Sequence, residues 1–296
     1  MFTYRRAHVA AFRAAGFARV AHLPLAADPE RRRPVELDGD ERERFGASLA
    51  FVGSSLAPEA KRARRRFDEL YAAWHPRGRD ALPEAHAALE RALDRQRQDF
   101  SRYSLESDLG CELAEFLRAL RTSAEREDPV ALVAQIAAAE KRRAYLSALA
   151  QSGVGELCVW GDAGWAALGA QGVRHRGYAG HRRELTRIYC GARINLDVGR
   201  LYQSDIATLR VFEVLACEGF LLAEHGDDIG ELFEVGRELE TYRDLGELID
   251  KVRHYLPRPD ARRAIAARGR GAVVRRHGVR ARARAILDAV PALTLP

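Results

Sequence analysis

Residues 192–225 read ARINLDVGRLYQSDIATLRVFEVLACEGFLLAEH. Two short apolar segments, ARINLDV and GFLLAEH, bracket a segment with helical periodicity. In that middle segment Leu209, Phe212 and Ala216 recur at helical spacing, which predicts a helix from about residue 206 with these side chains against a sheet. Two apolar strands joined by a helix are typical of a βαβ unit, whose strands run parallel.

Four more apolar segments continue this alternation of short strands and helices. They are SLAFVGSS at 48–55, GELCVWG at 155–161, GVRHRGY at 172–178 and ELETYR at 238–243. The alternation predicts an α/β domain with a doubly wound, Rossmann-like parallel sheet. Ligands bind outside the carboxyl ends of the strands in such sheets. The predicted crevice is therefore formed by the loops Gly53–Ser54, Gly161–Trp165, Gly177–His181 and Val198–Asp205.

The rest of the chain is predicted to be helical. Residues 80–150 are rich in Ala, Leu, Glu and Arg and predict three helices, and the segment from about 244 predicts a helical tail. We therefore expect the chain to divide into an amino-terminal helix and linker (1–47), a Rossmann-like domain (48–78 and 151–257), a helical insertion (79–150) and carboxyl-terminal helices (258–296).

The basic charge of the chain has two interpretations. The net charge is +6, and arginines cluster in KRARRR at 61–66 and between Arg258 and Arg284. Only three of the 48 basic residues are lysine, a bias that favours arginines coating helix faces. We find neither zinc-finger spacing nor the aromatic pattern of an RNA-binding module, so nucleic acid is not the expected partner. An anion-binding module stays open as a less favoured alternative.

Several other function classes lack their sequence signals. No run of 18 apolar residues and no signal peptide are present, which predicts a cytoplasmic protein without a transmembrane segment. The four cysteines have no paired spacing, and no two of the nine histidines stand at metal-binding helical spacing, so we expect no disulfide and no metal. The sequence also lacks a nucleophile elbow and a dinucleotide fingerprint.

The helix predicted from residue 206 carries charges in its apolar rows. Asp205 stands where an N-cap belongs, and Glu213 borders the buried stripe. Amides at the helix terminus, with Thr208 and Arg210, could bind a diphosphate, and Glu213 could accept hydrogen bonds from ribose hydroxyls. Alternatively, Glu213 pairs with an arginine of a neighbouring element and binds no ligand. The spacing of these residues leaves both possibilities open.

The segment from Tyr189 to Leu256 closely resembles the CgeB-like (spore-maturation) glycosyltransferases. The resemblance is carried by INLD (194–197), LRVFEVLAC (209–217), ELFEVGRE (231–238), YRDLGEL (242–248) and the closing stretch 261–282. Upstream, LPLAADPERRRP (23–34), LAFVGSS (49–55), VWGDAGW (159–165) and GYAGHRRELTRIYCGA (177–192) also fit the family. The similar segments occur in the family's order and cover about three quarters of the chain.

This resemblance implies the carboxyl-terminal, donor-binding half of a GT-B glycosyltransferase, whose substrate is a nucleoside diphosphate sugar. Asp205 and Glu213 match an acidic pair that marks the donor site in many relatives, and Glu213 is expected to hold the ribose. Thr208 and Arg210 are expected to meet the diphosphate, with Asp205 and Arg210 in catalytic roles. Metal is not normally required in such enzymes.

The resemblance also assigns residues on the opposite wall of the donor site. Gly53 and Ser54 would let the first loop approach the ligand, and Tyr178 and His181 lie where relatives enclose the base. Because the nucleoside diphosphate sugar is itself the substrate, the resemblance implies no cofactor.

The chain departs from the family's pattern in three ways. Asp205 stands where many relatives use Glu, and Glu218 replaces a glycine, so that its side chain is expected to crowd the loop. We expect the amino-terminal acceptor domain to be absent from this sequence, because residues 1–35 resemble only its last helix and linker. We therefore nominate no catalytic base. A separate acceptor-domain polypeptide, a homo-oligomer or a non-catalytic relic all stay open.

Overall fold

The computed structural model describes residues 1–121 and 128–294, with side chains up to residue 289. The strands are β1 (Phe2–Thr3), β2 (Ala21–His22), β3 (Ala47–Val52), β4 (Leu157–Trp160), β5 (Val173–His175), β6 (Ala192–Asp197), β7 (Leu221–Glu224) and β8 (Glu240–Tyr242). The helices are α1 (Arg6–Ala14), α2 (Gly39–Phe45), α3 (Ala57–Trp74), α4 (Leu82–Gln98), α5 (Leu105–Arg121), α6 (Pro129–Gln151), α7 (Glu184–Gly191), α8 (Leu209–Ala216), α9 (Asp227–Leu232), α10 (Leu245–Tyr255), α11 (Pro259–Ala272) and α12 (Val279–Thr294). None of these described helices is long and apolar enough to cross a membrane.

Strands β3 to β8 form one parallel sheet in the order β5-β4-β3-β6-β7-β8. Strand β3 is central: Leu49 lies opposite Leu157 of β4 on one side and opposite Ile194 of β6 on the other. The chain order reverses between β3 and β6, which makes this pair the topological switch point of a Rossmann-like sheet. The predicted fold class is confirmed, and each predicted apolar segment contains one of these six strands.

Both faces of the sheet are covered, which explains why its strands are almost continuously apolar. Successive side chains of a strand point to opposite faces. Ala50 accordingly packs with α7 and α8, whereas Leu49 and Phe51 pack with α6 and α10. The two apolar layers on either side of the sheet together hold the loops at the carboxyl ends of the strands in place.

The helices between β3 and β4 have a core of their own. Phe67 of α3, Leu89 of α4, Phe116 of α5 and Val133 of α6 are buried in it together. The carboxyl-terminal half of α6 leaves this core and packs on the sheet through Leu146 and Leu149. Three helices therefore lie between residues 80 and 150, as predicted, although residues 122–127 within this range, like residues 295–296 at the carboxyl terminus, lie outside the described residues.

The amino-terminal segment is fastened to the carboxyl-terminal helices. Strands β1 and β2 pair in parallel beside α1. Further along, the Val279 N–H donates to the Ala27 carbonyl at 3.0 Å, and Arg282 donates to the Pro24 carbonyl at 2.8 Å. The linker between β2 and α2 is thus held against the start of α12.

Arginines of the carboxyl-terminal helices bind carbonyl groups in the same way. Arg262 donates to the Tyr255 carbonyl at 2.5 Å, Arg268 to that of Arg237 at 2.8 Å and Arg270 to that of Ala216 at 2.5 Å. Tyr255 ends α10 and Ala216 ends α8, and the last carbonyls of a helix have no partner inside the helix, so two of these bonds satisfy groups at helix ends. Much of the basic tail therefore serves to hold elements together.

Two expectations about the helix in the opening segment are wrong. It begins at Leu209 and not near residue 206, because Thr208, with φ −68° and ψ 160°, occupies the N-cap position expected for Asp205. Leu209 was expected against the sheet but is 45% exposed, whereas Phe212 and Ala216 are buried as predicted. Because the helix starts at Leu209, this side chain lies in the first turn and faces the crevice predicted at the carboxyl ends of the strands.

His277 is a buried neutral base behind α8. Its ring packs against Phe233, with ring centres 4.7 Å apart. Its Nδ1 accepts a hydrogen bond from Arg282 at 3.0 Å, so the proton lies on Nε2, which donates to the Leu232 carbonyl at 2.9 Å. Burial lowers the pKa of His277 to about 4, helped by the positive charges of Arg282 and Arg276.

Acidification is therefore expected to destabilise the protein through His277. Between pH 6.5 and 4 the unfolded chain binds a proton that the folded imidazole does not bind, so stability is lost as the pH falls through this window. From pH 7 to pH 5 the loss due to His277 is about 1–2 kcal/mol. We expect urea unfolding to show a smaller loss for His277→Gln than for the wild type, with the exposed His254→Gln as control. Equal losses in all three proteins would contradict this.

Candidate functional site

A cavity of about 440 Å³ lies at the switch point between β3 and β6. We call it the switch-point crevice. It is lined by Val52, Gly53, Ser54, Trp160, Gly161, Asp162, Tyr178, Ala179, His181, Leu185, Tyr189, Leu209, Arg210 and Glu213. Three of the four loops predicted to form the crevice contribute to it, together with one face of α8.

The structure brings most of the predicted site residues together. Six of the eight line this crevice: Gly53, Ser54, Tyr178, His181, Arg210 and Glu213. Thr208 instead lines a neighbouring cavity, and Asp205 lines neither of the two. The acidic pair is therefore split, with only Glu213 facing the crevice.

The turn after β3 is held rigidly by Asp162. The carboxylate accepts hydrogen bonds from the Ser54 hydroxyl at 2.8 Å and from the Ser55 N–H at 2.7 Å. Burial alone would raise the pKa of Asp162, but the hydrogen bonds from Ser55, Ser54 and Gly164 outweigh it and lower the pKa. A Cβ at position 53 would lie 2.8 Å from the Arg210 guanidinium, so a larger residue there would displace the end of that side chain.

Glu213 is both paired and open to the crevice. Its Oε1 accepts a hydrogen bond from Nε of Arg32 at 2.9 Å, and its side chain is 16% exposed. Within the described ranges, Oε2 accepts no hydrogen bond. The pairing with an arginine that the sequence left open does occur, yet the carboxylate keeps one oxygen for a ligand.

Arg32 connects Glu213 to the loop that carries the predicted base-binding residues. Its guanidinium also donates to the carbonyls of His181 at 2.5 Å and Arg182 at 2.7 Å. Because Arg32 is only 5% exposed, these bonds are protected from water. One side chain of the linker between β2 and α2 therefore sets the position of α8 relative to loop 177–183.

Positive charge is concentrated at the amino end of α8. Asp197, at the end of β6, forms an ion pair with Arg210 and accepts a hydrogen bond from the Thr208 hydroxyl at 3.1 Å. Arg142 of α6 is buried nearby and donates to the carbonyls of Ser54 and Val198. Burial, followed by repulsion from Arg210, lowers the pKa of Arg142 to about 10. Two guanidiniums thus lie near this helix terminus, and the carboxylate of Asp197 pairs with the guanidinium of Arg210.

Asp205 is held by the amino-terminal segment. Its Oδ1 accepts a hydrogen bond from Arg5 at 2.6 Å. Burial would raise the pKa of Asp205, but the bond and charge of Arg5 lower it. Residues 1–35, expected to be a remnant of another domain, therefore supply Arg5 and Arg32, which pair with the two members of the predicted acidic pair.

Two further residues named by the sequence analysis, Glu218 after α8 and Tyr178 after β5, have exposed side chains. Glu218, expected to crowd the loop after α8, adopts φ +60°, and its side chain is 43% exposed and lies 3.7 Å from Arg270. Tyr178 is 70% exposed, and its hydroxyl lies 2.8 Å from Nε2 of His181. The two aromatic rings are thus placed together at the mouth of the crevice.

A second cavity adjoins the crevice on the far side of Asp197 and Thr208. We call it the side cavity; its volume is about 290 Å³. Its opposite wall comes from Phe100 and Tyr103, in the connection between α4 and α5, and from Lys141 of α6. No three His, Cys, Asp or Glu side chains in residues 1–121 and 128–294 are grouped as a metal site would require.

Sequence reasoning missed Arg5, Arg32, Arg142, Asp162 and Asp197. Asp162 and Asp197 end the GELCVWGD and INLD segments, and a carboxylate at a parallel strand's carboxyl end is a usable signal for a site residue. The three arginines give no such signal, because they stand among many other arginines and meet the site only through the fold.

Comparisons with known proteins agree with this architecture. Residues 140–288 match the family described as glycosyl transferase-like. Similar solved structures are Anabaena HepE in complex with UDP and glucose (10% identity, TM-score 0.53, covering 98% of this chain and 62% of that one), Thermosynechococcus elongatus sucrose-phosphate synthase (15%, 0.50, 99% and 57%) and a Rickettsia africae glycosyltransferase (10%, 0.51, 97% and 61%). The chain thus spans about three fifths of these structures, and the likeness shows a GT-B-like fold. A search among curated proteins found no match.

Removing Arg32 should loosen loop 177–183. Arg32→Ala leaves Glu213 without its partner, and breaking a buried pair in this way costs about 3–5 kcal/mol. We expect hydrogen exchange to show faster amide exchange in loop 177–183 and at the start of α8, with a milder effect for Arg32→Lys, which keeps the charge. The exposed neighbour Arg31→Ala is the matched control. Unchanged exchange in loop 177–183 of both Arg32 variants would refute the connection.

Proposed function

Since the chain belongs to the glycosyl transferase-like family, we propose that its switch-point crevice binds a nucleoside diphosphate sugar and that the chain is the donor-binding half of a glycosyltransferase. The observation that carries the proposal is the carboxylate of Glu213. It borders the crevice, is held by Arg32 through one oxygen and has the other oxygen available. A ligand that binds this oxygen explains why an acidic side chain is kept on the largely apolar helix α8.

The proposed role of Glu213 is to bind the ribose. A carboxylate can accept hydrogen bonds from two adjacent hydroxyls, and such charge-assisted bonds are about twice as strong as neutral ones. Arg32 fixes the direction of the carboxylate before the ligand arrives, so little side-chain entropy is lost on binding. Tyr178 and His181 at the mouth, with Trp160 deeper in the crevice, provide aromatic surface for the base.

The proposed diphosphate site is the amino end of α8. The N–H groups of Leu209 and Arg210 have no partners inside the helix, and the helix dipole favours an anion there. Arg210 and the buried Arg142 add positive charge, and Thr208 adds a hydroxyl. These groups stabilise charge that develops on the departing diphosphate, which is how this half contributes to the rate.

We propose that Asp205 acts beside the donor sugar. It follows the loop after β6 that borders the side cavity, and Arg5 holds its carboxylate. Arg210 is the second residue with a proposed catalytic role. Neither is offered as a catalytic base.

The subfamily, the domain bounds and the cellular location of the chain are also proposals. The similar segments support placing the chain in the CgeB-like branch of the family. They also support reading residues 1–47 as the end of an acceptor domain, 48–78 and 151–257 as the donor-binding domain and 258–296 as its helical tail. Since Leu146 and Leu149 of α6 pack on the sheet, we assign the end of the insertion 79–150 to the donor-binding domain. The four free thiols support a cytoplasmic location.

A non-catalytic nucleotide-sugar-binding protein, or a subunit that needs a separate acceptor-domain polypeptide or a second copy, is the alternative. The chain spans about three fifths of the similar solved structures, and the two proposals differ in whether this chain transfers a sugar by itself. The glycosyltransferase proposal and this alternative both predict nucleotide binding. Sugar transfer or donor hydrolysis by the purified chain alone would exclude the alternative.

Replacing Glu213 should weaken nucleotide binding. We expect calorimetric titration with UDP to show affinity lower by about 30- to 5000-fold in Glu213→Ala, because truncating one partner of a buried charged bond costs about 2–5 kcal/mol. Glu213→Gln should lie between this variant and the wild type. The matched control is Glu218→Gln, five residues on and turned away from the crevice.

Thermal unfolding without ligand separates lost binding from lost folding in these variants. Full UDP affinity in a folded Glu213→Ala protein would refute the assignment of Glu213. Absence of binding by the wild type to UDP, GDP, ADP and dTDP would refute the function.

A further inference from the structure

The side cavity lies between the helical segment and the carboxyl ends of β6 and β7. Its floor is an ion pair between Lys141, which is 1% exposed, and Glu224. Glu224 also accepts a hydrogen bond from the Gly199 N–H at 3.0 Å. The two charges of this buried pair cancel one another, so the floor offers hydrogen-bonding groups without net charge.

The walls of the side cavity, in contrast, carry uncompensated positive charge. Arg200 donates to the Tyr202 hydroxyl at 3.1 Å, and the guanidinium of Arg243 makes no hydrogen bond to any residue within the described ranges. The nearby carboxylates are already engaged: Asp197 by Arg210, and Glu247 by Lys251 at 3.2 Å. Two guanidiniums facing one polar cavity without a carboxylate partner favour an anionic occupant.

The position of the side cavity relates that occupant to the donor. Asp197 and Thr208 separate it from the switch-point crevice, and both stand at the amino end of α8. A nucleoside held by Glu213, with its diphosphate at this helix terminus, directs the group attached to the second phosphate toward the side cavity. That group is the sugar of the donor.

We infer that the side cavity binds the donor sugar and selects a hexose that carries a carboxylate, a uronic acid. The carboxylate pairs with Arg200 and Arg243, while Lys141 and Glu224 bind hydroxyls of the ring. The aromatic rings of Phe100 and Tyr103 provide the apolar surface on which a sugar face packs. This inference rests on the proposed function and adds the class of donor sugar.

The test compares three ligands: UDP, UDP-glucose and UDP-glucuronate, each titrated calorimetrically into the full chain. We expect the wild type to bind UDP-glucuronate at least about tenfold more tightly than UDP-glucose, because hydrogen bonds between guanidinium groups and a carboxylate are about twice as strong as those to neutral hydroxyls. In Arg243→Gln this preference should fall to below about threefold, and Arg200→Lys, which keeps the charge, should retain part of it. The exposed Arg253→Gln on α10 is the control and should keep the full preference.

The outcomes separate the two proposals. If UDP binds but the wild type does not distinguish UDP-glucuronate from UDP-glucose, the inference on the sugar is overturned and the nucleotide proposal stands. A preference that survives unchanged in Arg243→Gln also overturns it. If UDP itself does not bind, both proposals fall.

Discussion

The bond between Arg32 and Glu213 is the constraint on which the candidate site depends. It joins three parts of the chain that are far apart in sequence: the linker, loop 177–183 and α8. Burying a carboxylate and a guanidinium is costly, and such a pair is favourable only when its remaining hydrogen-bonding groups are satisfied. Arg32 meets that condition through the carbonyls it binds. Glu213 has one oxygen without a hydrogen bond, and the two adjacent ribose hydroxyls are the partners we propose for its carboxylate.

The other carboxylates around the site are also paired, each with one basic side chain. Asp197 pairs with Arg210, Glu224 with Lys141, and Asp205 with Arg5. The burial of Glu224 raises its pKa, and Lys141 opposes that effect. Carboxylates held in this way are fixed in direction. The sheet adds a second constraint, because the switch point between β3 and β6 opens a crevice beside the amino end of α8.

The sequence predicts the fold well because the relevant signals are local. A strand of a parallel sheet covered on both faces must be apolar along its length, so the six segments stand out against their helical surroundings. The sequence pattern does not determine the start of α8, because its first turn depends on Thr208, whose hydroxyl is bound to Asp197 and does not cap the helix. The exposure of Leu209 depends on the same helix start, so the periodicity alone places this residue in the core.

The predicted site was incomplete because its missing parts are long-range. Arg32 lies 181 positions before Glu213, and Arg5 lies 200 positions before Asp205. No periodicity or spacing connects residues so distant, and in a chain with 48 basic residues a functional arginine has no distinctive neighbours. Gly53, Ser54, Tyr178 and His181 could be proposed because they end or follow strands whose position in the sheet the local pattern already determines.

The most direct measurement compares the binding of UDP with that of its 2′-deoxy and 3′-deoxy analogues. If Glu213 accepts hydrogen bonds from both ribose hydroxyls, the wild type should lose about tenfold or more in affinity for each analogue. The same comparison in Glu213→Gln should show a much smaller loss. Equal affinity of the wild type for UDP and both analogues would contradict the central claim that this buried acid is tolerated because it binds a nucleotide ribose.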